Sequence, residues 1–201
     1  MLNLRTAPQV KWAGKMANRG LDSDPWLGEL FLFPTVLHAR SSFSFDISSE
    51  SLQKALLATL VSLLSSHLPR DITVADRGGY SDGRVAFRIG IGNGDGFDIL
   101  DGREEQRILS RIENSGPFNI LDVSFHLDYT IRDGKPHKVR SDQYLVRLVF
   151  QSGRVELLVH HLKGIRRIDS VELLRLLIEK LNLELSNMRF PIIALEMVDS
   201  T

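Results

Sequence analysis

The sequence predicts an α+β domain with a mainly antiparallel sheet, two long amphipathic helices on one face of that sheet and a third, shorter helix. Two observations carry this prediction. Several segments alternate apolar with polar residues and follow one another through short glycine turns, and such short connections join only antiparallel neighbours. Two leucine-rich segments with helical spacing each follow a segment of this kind.

The first strand and helix come early in the chain. Residues 29–47 form a first strand or pair of strands, and in 37–47 apolar or small residues hold every odd position, which is the pattern of a half-buried strand. The hydroxyls of Ser48 and Ser49 suit the open N–H groups of a first helical turn. Leucines then recur at helical spacing, so we predict a helix over 50–67 that ends before Pro69.

A similar unit recurs late in the chain. Residues 155–162 alternate as a strand, and Asp169 followed by Glu172 forms a capping-box pattern that begins a helix predicted over 170–183. The two capped leucine stripes align with each other, which indicates a weak internal strand–helix duplication. The same pattern arises wherever an amphipathic helix follows a strand, so both explanations remain open.

The remaining elements lie between and beyond these units. The pattern predicts a hairpin from strand 72–75 through a glycine turn at 78–83 to strand 85–91, a helix over 103–113, a meander of strands 121–131, 144–150 and 155–162, and a closing strand over 189–198. Residues 1–27 read as a lead-in segment and residues 28–201 as a single domain, because no linker divides them.

Composition bounds the classes of function. The 201 residues include 25 basic and 25 acidic side chains, and this balance argues against a surface built throughout for a polyanion. The chain has no cysteine, which excludes disulfides and thiolate chemistry and favours a cytoplasmic location. No signal peptide and no apolar run of about 20 residues are visible, so we expect a soluble protein with no membrane partner.

The glycine-rich segment 90–96 does not match a nucleotide-binding loop, because Asp95 and Phe97 stand where the last glycine of Gly-x-Gly-x-x-Gly is required. Residues 93–100 are similar to one calcium-binding nonapeptide of the repeats-in-toxin type. That motif holds calcium between stacked repeats, and here it occurs once. The adjacent pair His160 and His161 points to opposite faces of a strand, so we predict no metal and no cofactor.

Strand 121–131 shows the clearest alternation, and its polar face carries the catalytic candidates His126, Asp122 and Asp128. A histidine beside carboxylates suits a general base. Alternating polar residues are equally typical of a solvated sheet face. Both interpretations stay open.

Residues 132–167 hold nine basic and three acidic side chains, which makes this segment the candidate for contacts with phosphates. Aromatic residues for stacking are few there, essentially Tyr144 and Tyr129, and this scarcity favours a solvated hairpin instead. The candidate nucleic-acid contacts are Lys135, Lys138, Arg140, Arg147, Lys163, Arg166 and Arg167.

Three classes of function follow from these patterns. The first is a non-catalytic binding or assembly domain that forms a homodimer, because sheet-edge strands and the apolar residues Trp12, Met16 and Trp26 offer surface for a second copy. The second is a nucleic-acid-associated protein that uses residues 132–167. The third is an enzyme with its site around His126.

Overall fold

A computed structural model describes residues 26–74, 79–131 and 137–199, and within them eight strands form one sheet accompanied by three helices. The strands are β1 (Ala39–Ser44), β2 (His67–Val74), β3 (Gly79–Asn93), β4 (Gly96–Ile99), β5 (Ile120–Ile131), β6 (His137–Gln151), β7 (Arg154–Lys163) and β8 (Glu196–Asp199). The helices are α1 (Ser49–Ser65), α2 (Gly102–Ser115) and α3 (Ser170–Asn187).

The strand order is β2-β3-β5-β6-β7-β1-β8, with β4 paired to the end of β3, and the paired strands are antiparallel. The predicted fold class is therefore confirmed. The meander of β5, β6 and β7 is present, and its second turn contains Gly153 at a φ of 71°, a conformation that favours glycine.

One face of the sheet, the inner face, carries the helices. Val123 and Leu127 of β5 are buried in the same apolar cluster as Leu56 of α1 and Leu177 of α3. Helices α1 and α3 also contact each other, so their leucine stripes and the inner-face side chains close one core. In the described part of the chain, no helix combines the length and apolar character that crossing a membrane requires.

The predicted helix starts are confirmed. Ser48 precedes α1, and its hydroxyl accepts a hydrogen bond from the N–H of Ser51 at 3.1 Å. Asp169 precedes α3 and accepts from the N–H of Val171 at 2.8 Å. Each cap satisfies an N–H group that the helix itself leaves open.

Several predicted boundaries were wrong. Residues 79–83, predicted as a turn, belong to β3, and the connection from β2 lies in residues 75–78, outside the described residues. The closing strand is confined to β8. Asn182 of α3 explains this difference, because its side chain both accepts from the N–H and donates to the carbonyl of Ile193, at 2.8 Å each, which takes up backbone groups that a ladder would use.

The first strand also begins later than predicted. Of the predicted 29–47 segment, 39–44 is β1, while residues 26–38 form an irregular segment, here called the strap. The strap fills the gap between the end of β3 and the start of β5. Gly28 donates to the carbonyl of Gly92 at 2.8 Å and accepts from the N–H of Asp122 at 2.6 Å. The rest of the predicted lead-in, residues 1–25, lies outside the described residues.

Candidate nucleic-acid interface

The face opposite the helices, the outer face, carries a polar row across four strands. Arg88 of β3 is paired with His126 of β5, His126 with Gln143 of β6, and Gln143 with Lys163 of β7. Directly opposed residues share a face of a sheet, and neighbouring strands lie about 4.8 Å apart. The polar row therefore spans about 14 Å from Arg88 to Lys163 at the level of the backbone.

A second row adds two more cations to this end of the outer face. Arg84 is paired with Thr130 and Thr130 with Lys138, four residues along the strands from the polar row. Arg84, Arg88, Lys138 and Lys163 are all exposed, and together they are called the basic face. Within the described positions of these rows and the one between them, Asp128 is the single acidic side chain facing outward.

Asp128 pairs with Arg88 at the surface. The Nε of Arg88 donates to Oδ2 of Asp128 at 2.9 Å, and its Nη2 donates to Oδ1 at 3.4 Å. The two side chains are 56% and 34% exposed, so water screens this pair and the guanidinium keeps open surface.

His126 is fixed in the polar row by both of its ring nitrogens. Nε2 lies 3.2 Å from Oδ1 of Asp128, and Nδ1 lies 2.8 Å from Nε2 of Gln143. A carboxylate only accepts, so the Nε2–H donates to Asp128 and Nδ1 accepts from the Gln143 amide. Burial and the nearby Arg88 guanidinium lower the pKa of His126, although Asp128 opposes the shift. The ring is therefore neutral at pH 7 and its lone pair is occupied.

Asp122 and Arg147, each named as a site candidate, are together elsewhere on the outer face. Nε of Arg147 donates to Oδ1 of Asp122 and its Nη2 donates to Oδ2, both at 2.7 Å. Oδ2 of Asp122 also accepts from the backbone N–H of Leu30 at 2.7 Å, and the Arg147 guanidinium lies 4.7 Å from the ring centre of Phe33. This ion pair holds the strap. It lies four residues from His126 on β5, about 13 Å away.

Asp142, which was not singled out in the sequence, organises the loop that follows β7. Its carboxylate accepts from the N–H groups of residues 165–167 at 2.7 to 3.0 Å and from the hydroxyl of Tyr129 at 2.8 Å. Arg167 donates to the carbonyl of Arg140 at 2.6 Å and lies over the Tyr129 ring. The end of the basic segment is thus anchored to the inner face.

The seven basic candidates separate into three groups. Four of them are exposed: Lys138, Arg140, Lys163 and Arg166. Arg147 and Arg167 are half-buried in the contacts described above, and Lys135 lies outside the described residues. Arg84 and Arg88 precede the basic segment in the chain, and only the pairing of β3 with β5 brings them beside it.

Tyr129 is buried in the core, as its position in the alternation of strand 121–131 predicts, and Tyr144 is buried as well, so neither offers a ring to a ligand. The strap instead presents Trp26 and Phe31, with ring centres 4.6 Å apart and planes at 84°. These rings are 47% and 49% exposed at the margin of the outer face.

The alternating glycines of β3 make room for the strap and for β4. A Cβ on Gly92 would lie 3.0 Å from Cβ of Asp122 and 3.2 Å from the carbonyl oxygen of Gly28. A Cβ on Gly94, which has a φ of 65°, would lie 2.9 Å from the ring of Phe31. The spacing of these glycines is the sequence signal for the close approach of the strap. The signal could not be interpreted from the sequence, because the segment that approaches is distant in the chain.

The segment similar to a calcium-binding nonapeptide is engaged within the protein. Asp98 accepts from the amide of Asn93 at 2.6 Å and from Nη1 of Arg107 at 3.0 Å. Among the described residues no group of three or more His, Asp or Glu side chains is arranged to hold a metal ion.

The two adjacent histidines have separate partners. Nδ1 of His160 lies 2.7 Å from the carbonyl oxygen of Val36 on the strap, while the ring of His161 packs beside buried Tyr144. The backbone N–H of His161 donates to Nδ1 of His38 at 2.9 Å. Burial and the nearby Arg166 lower the pKa of both His38 and His161.

The outer face therefore has an open basic half and a half covered by the strap. Comparison of the chain with protein-family models, with curated proteins and with solved structures found no match. The arrangement offers fixed cationic donors, a neutral histidine and exposed aromatic rings.

Proposed function

We propose that the protein binds nucleic acid through the basic face. The observation that carries the proposal is the convergence of Arg84, Arg88, Lys138 and Lys163 on one face as exposed side chains, although they come from three separate strands. Cationic side chains on a solvated sheet face suit phosphates, which supply most of the affinity and most of the salt dependence of nucleic-acid binding.

The spacing of the cations favours a polymer of phosphates over a single small anion. The two rows stand about 13 Å apart, and the polar row itself is about 14 Å long, so a single phosphate would not contact all four cations at once. The balanced charge of the whole chain does not oppose this proposal, because Asp128, which lies between the two rows, is the only outward-facing carboxylate in the described part of this region.

The hydrogen bonds of His126 support a binding function without catalysis. A general base needs a free lone pair and a pKa near the working pH. In His126 the lone pair of Nδ1 accepts from Gln143, and burial lowers the pKa. The ring thereby orients Gln143 and Asp128 within the polar row.

Salt-dependent binding tests the proposal. We expect a labelled oligonucleotide to bind the wild-type chain with an affinity that falls as salt rises, measured by fluorescence anisotropy. The variant Arg84→Gln/Lys138→Gln/Lys163→Gln should lower the slope of log affinity against log salt by about one for each cation removed.

The matched control is Arg103→Gln/Arg175→Gln, which removes exposed cations from α2 and α3 and should leave the slope unchanged. If the salt slope dropped equally in the control, the change would be due to net charge and not to the position of the cations on the basic face. A wild-type chain that binds no oligonucleotide at low salt would end the proposal.

We also propose self-association as a second property. Leu32 and Val36 on the strap are 78% and 64% exposed, and β8 is the last strand of the sheet order in the described residues, a position from which a strand can pair with another chain. Light scattering at micromolar concentration should give twice the 22.7 kDa of one chain. A mass of one chain would contradict the dimer.

A further inference from the structure

Trp26 and Phe31 form an exposed aromatic pair that the basic face does not explain. Their rings meet edge to face, and each is about half exposed. A chain that only shelters its core has no need to hold two large aromatic rings side by side in solvent at the margin of the outer face.

The backbone beside Phe31 is hydrogen-bonded to the rest of the protein. The N–H of Phe31 donates to the carbonyl of Gly94 at 3.0 Å, and the N–H of Gly94 donates to the carbonyl of Glu29 at 2.8 Å. The N–H of Leu30, the residue before Phe31, donates to the buried carboxylate of Asp122. These bonds fix the backbone that carries Phe31, so a ligand that stacks on its ring meets less ordering cost there.

From this geometry we infer that the ligand of the basic face is single-stranded, and that Trp26 and Phe31 are the platform on which its unpaired bases stack. The inference rests on the proposed function. Proteins that bind single strands combine a cationic track for the backbone with aromatic rings for the bases, and every base offers a ring face to such a platform. Bases inside a duplex are already stacked and paired, so they gain nothing from it.

The distance from the platform to the cations suits this ligand. Gly94, which directly follows β3 and lies against the ring of Phe31, is six residues from Arg88 of β3, or about 20 Å at the rise of an extended chain. Sites for single strands begin at about four nucleotides, which is long enough to cover both features.

A membrane surface is the competing occupant, because exposed tryptophan and phenylalanine beside cations also suit anionic lipids. The burial of the rings favours nucleic acid. Each of the two residues is only about half exposed, which leaves surface for stacking but limits the depth of insertion between lipids.

The experiment compares a mixed-sequence 12-nucleotide single strand with the duplex of the same sequence. We expect the wild-type chain to bind the single strand more tightly. Phe31→Leu keeps the apolar volume without the aromatic face, and it should weaken single-strand binding about tenfold while leaving duplex binding and the salt slope unchanged. Phe31→Tyr keeps an aromatic ring and should retain binding. Leu183→Ala, at an exposed position of α3, is the control.

The outcomes separate the inference from the proposed function. If Phe31→Leu binds the single strand as tightly as the wild type does, or loses duplex binding equally, the stacking inference is contradicted. Binding through the basic face is not contradicted by that result. If the wild-type chain binds neither nucleic acid, both fail. Vesicles with 30% phosphatidylserine complete the test, because ring-dependent binding to vesicles without any binding to the single strand would overturn the inference. Urea unfolding confirms that each variant is folded.

Discussion

Strand β5 presents two aspartates on its outer face, and each pairs with an arginine of a neighbouring strand. Asp122 pairs with Arg147 and is completely buried, whereas Asp128 pairs with Arg88 in a contact that water reaches. The residue types and the face are the same in both pairs. The difference is the strap, which covers the first pair and ends before the second.

Burial beneath the strap determines how much each ion pair contributes to the stability of the fold. Two charges removed from water are tolerated only when further hydrogen bonds satisfy them, and the backbone of Leu30 supplies these to both Asp122 and Arg147. The exposed pair has little net effect on stability, since water and salt screen it. The same chemical pair is thus a structural anchor at one end of β5 and a surface charge at the other.

The largest expected effect comes from breaking the buried pair. Asp122→Ala leaves Arg147 without its partner and the N–H of Leu30 without an acceptor, so the free energy of unfolding should fall by about 3–5 kcal/mol in urea titration. The matched variant Asp128→Ala should cost less than about 1 kcal/mol. Equal losses in the two variants would show that the strap does not bury the first pair.

A smaller effect should follow from crowding the strap at the glycines of β3. Gly92→Ala places a methyl group 3.0 Å from Asp122 and 3.2 Å from the backbone of Gly28, so the strap must shift, and we expect a loss of about 1–3 kcal/mol. Gly102→Ala is the control, because a Cβ there meets no atom within 4 Å. Thermal unfolding compares the two. A Gly92→Ala variant as stable as the control would mean that the strap lies farther from β3.

The smallest expected effect is a dependence of stability on pH. The pKa values of His126 and His161 are lowered in the folded protein, mainly by burial, so the unfolded chain binds protons first as pH falls. Stability that is complete above about pH 6.5 should therefore decline as pH drops through that value toward the folded pKa values.

Urea midpoints between pH 7.5 and 5 measure this decline. His126→Gln removes one of the titrating groups on the outer face and should flatten the curve relative to the wild type. Parallel curves for the two proteins would contradict the assigned burial of His126.

Much of the fold was predictable because its signals are local. The alternation in 121–131 predicted both faces of β5, and the short turns predicted the antiparallel meander. Ser48 and Asp169 predicted where α1 and α3 begin, since a cap acts on the next three residues. The predicted length of the closing strand was wrong because it depends on a contact that is not local. Asn182 of α3 bonds the backbone of Ile193, which lies outside that helix.

What the sequence by itself determined is therefore the three helices, most of the strands and the side of each predicted strand that faces the core, because these follow from spacings of two to four residues. It predicted neither the short strand β4 nor the strap. Only the tertiary structure decided the roles of the polar residues. Leu30 and Asp122 are 92 positions apart, and no local pattern relates them. Their contact makes Asp122 an anchor for the strap, and the strap carries Trp26 and Phe31 at the margin of the outer face. Burial by a segment that is distant in the sequence sets the local dielectric and the hydrogen-bond partners of a charged side chain. These determine whether the side chain stabilises the fold or remains available to bind a ligand.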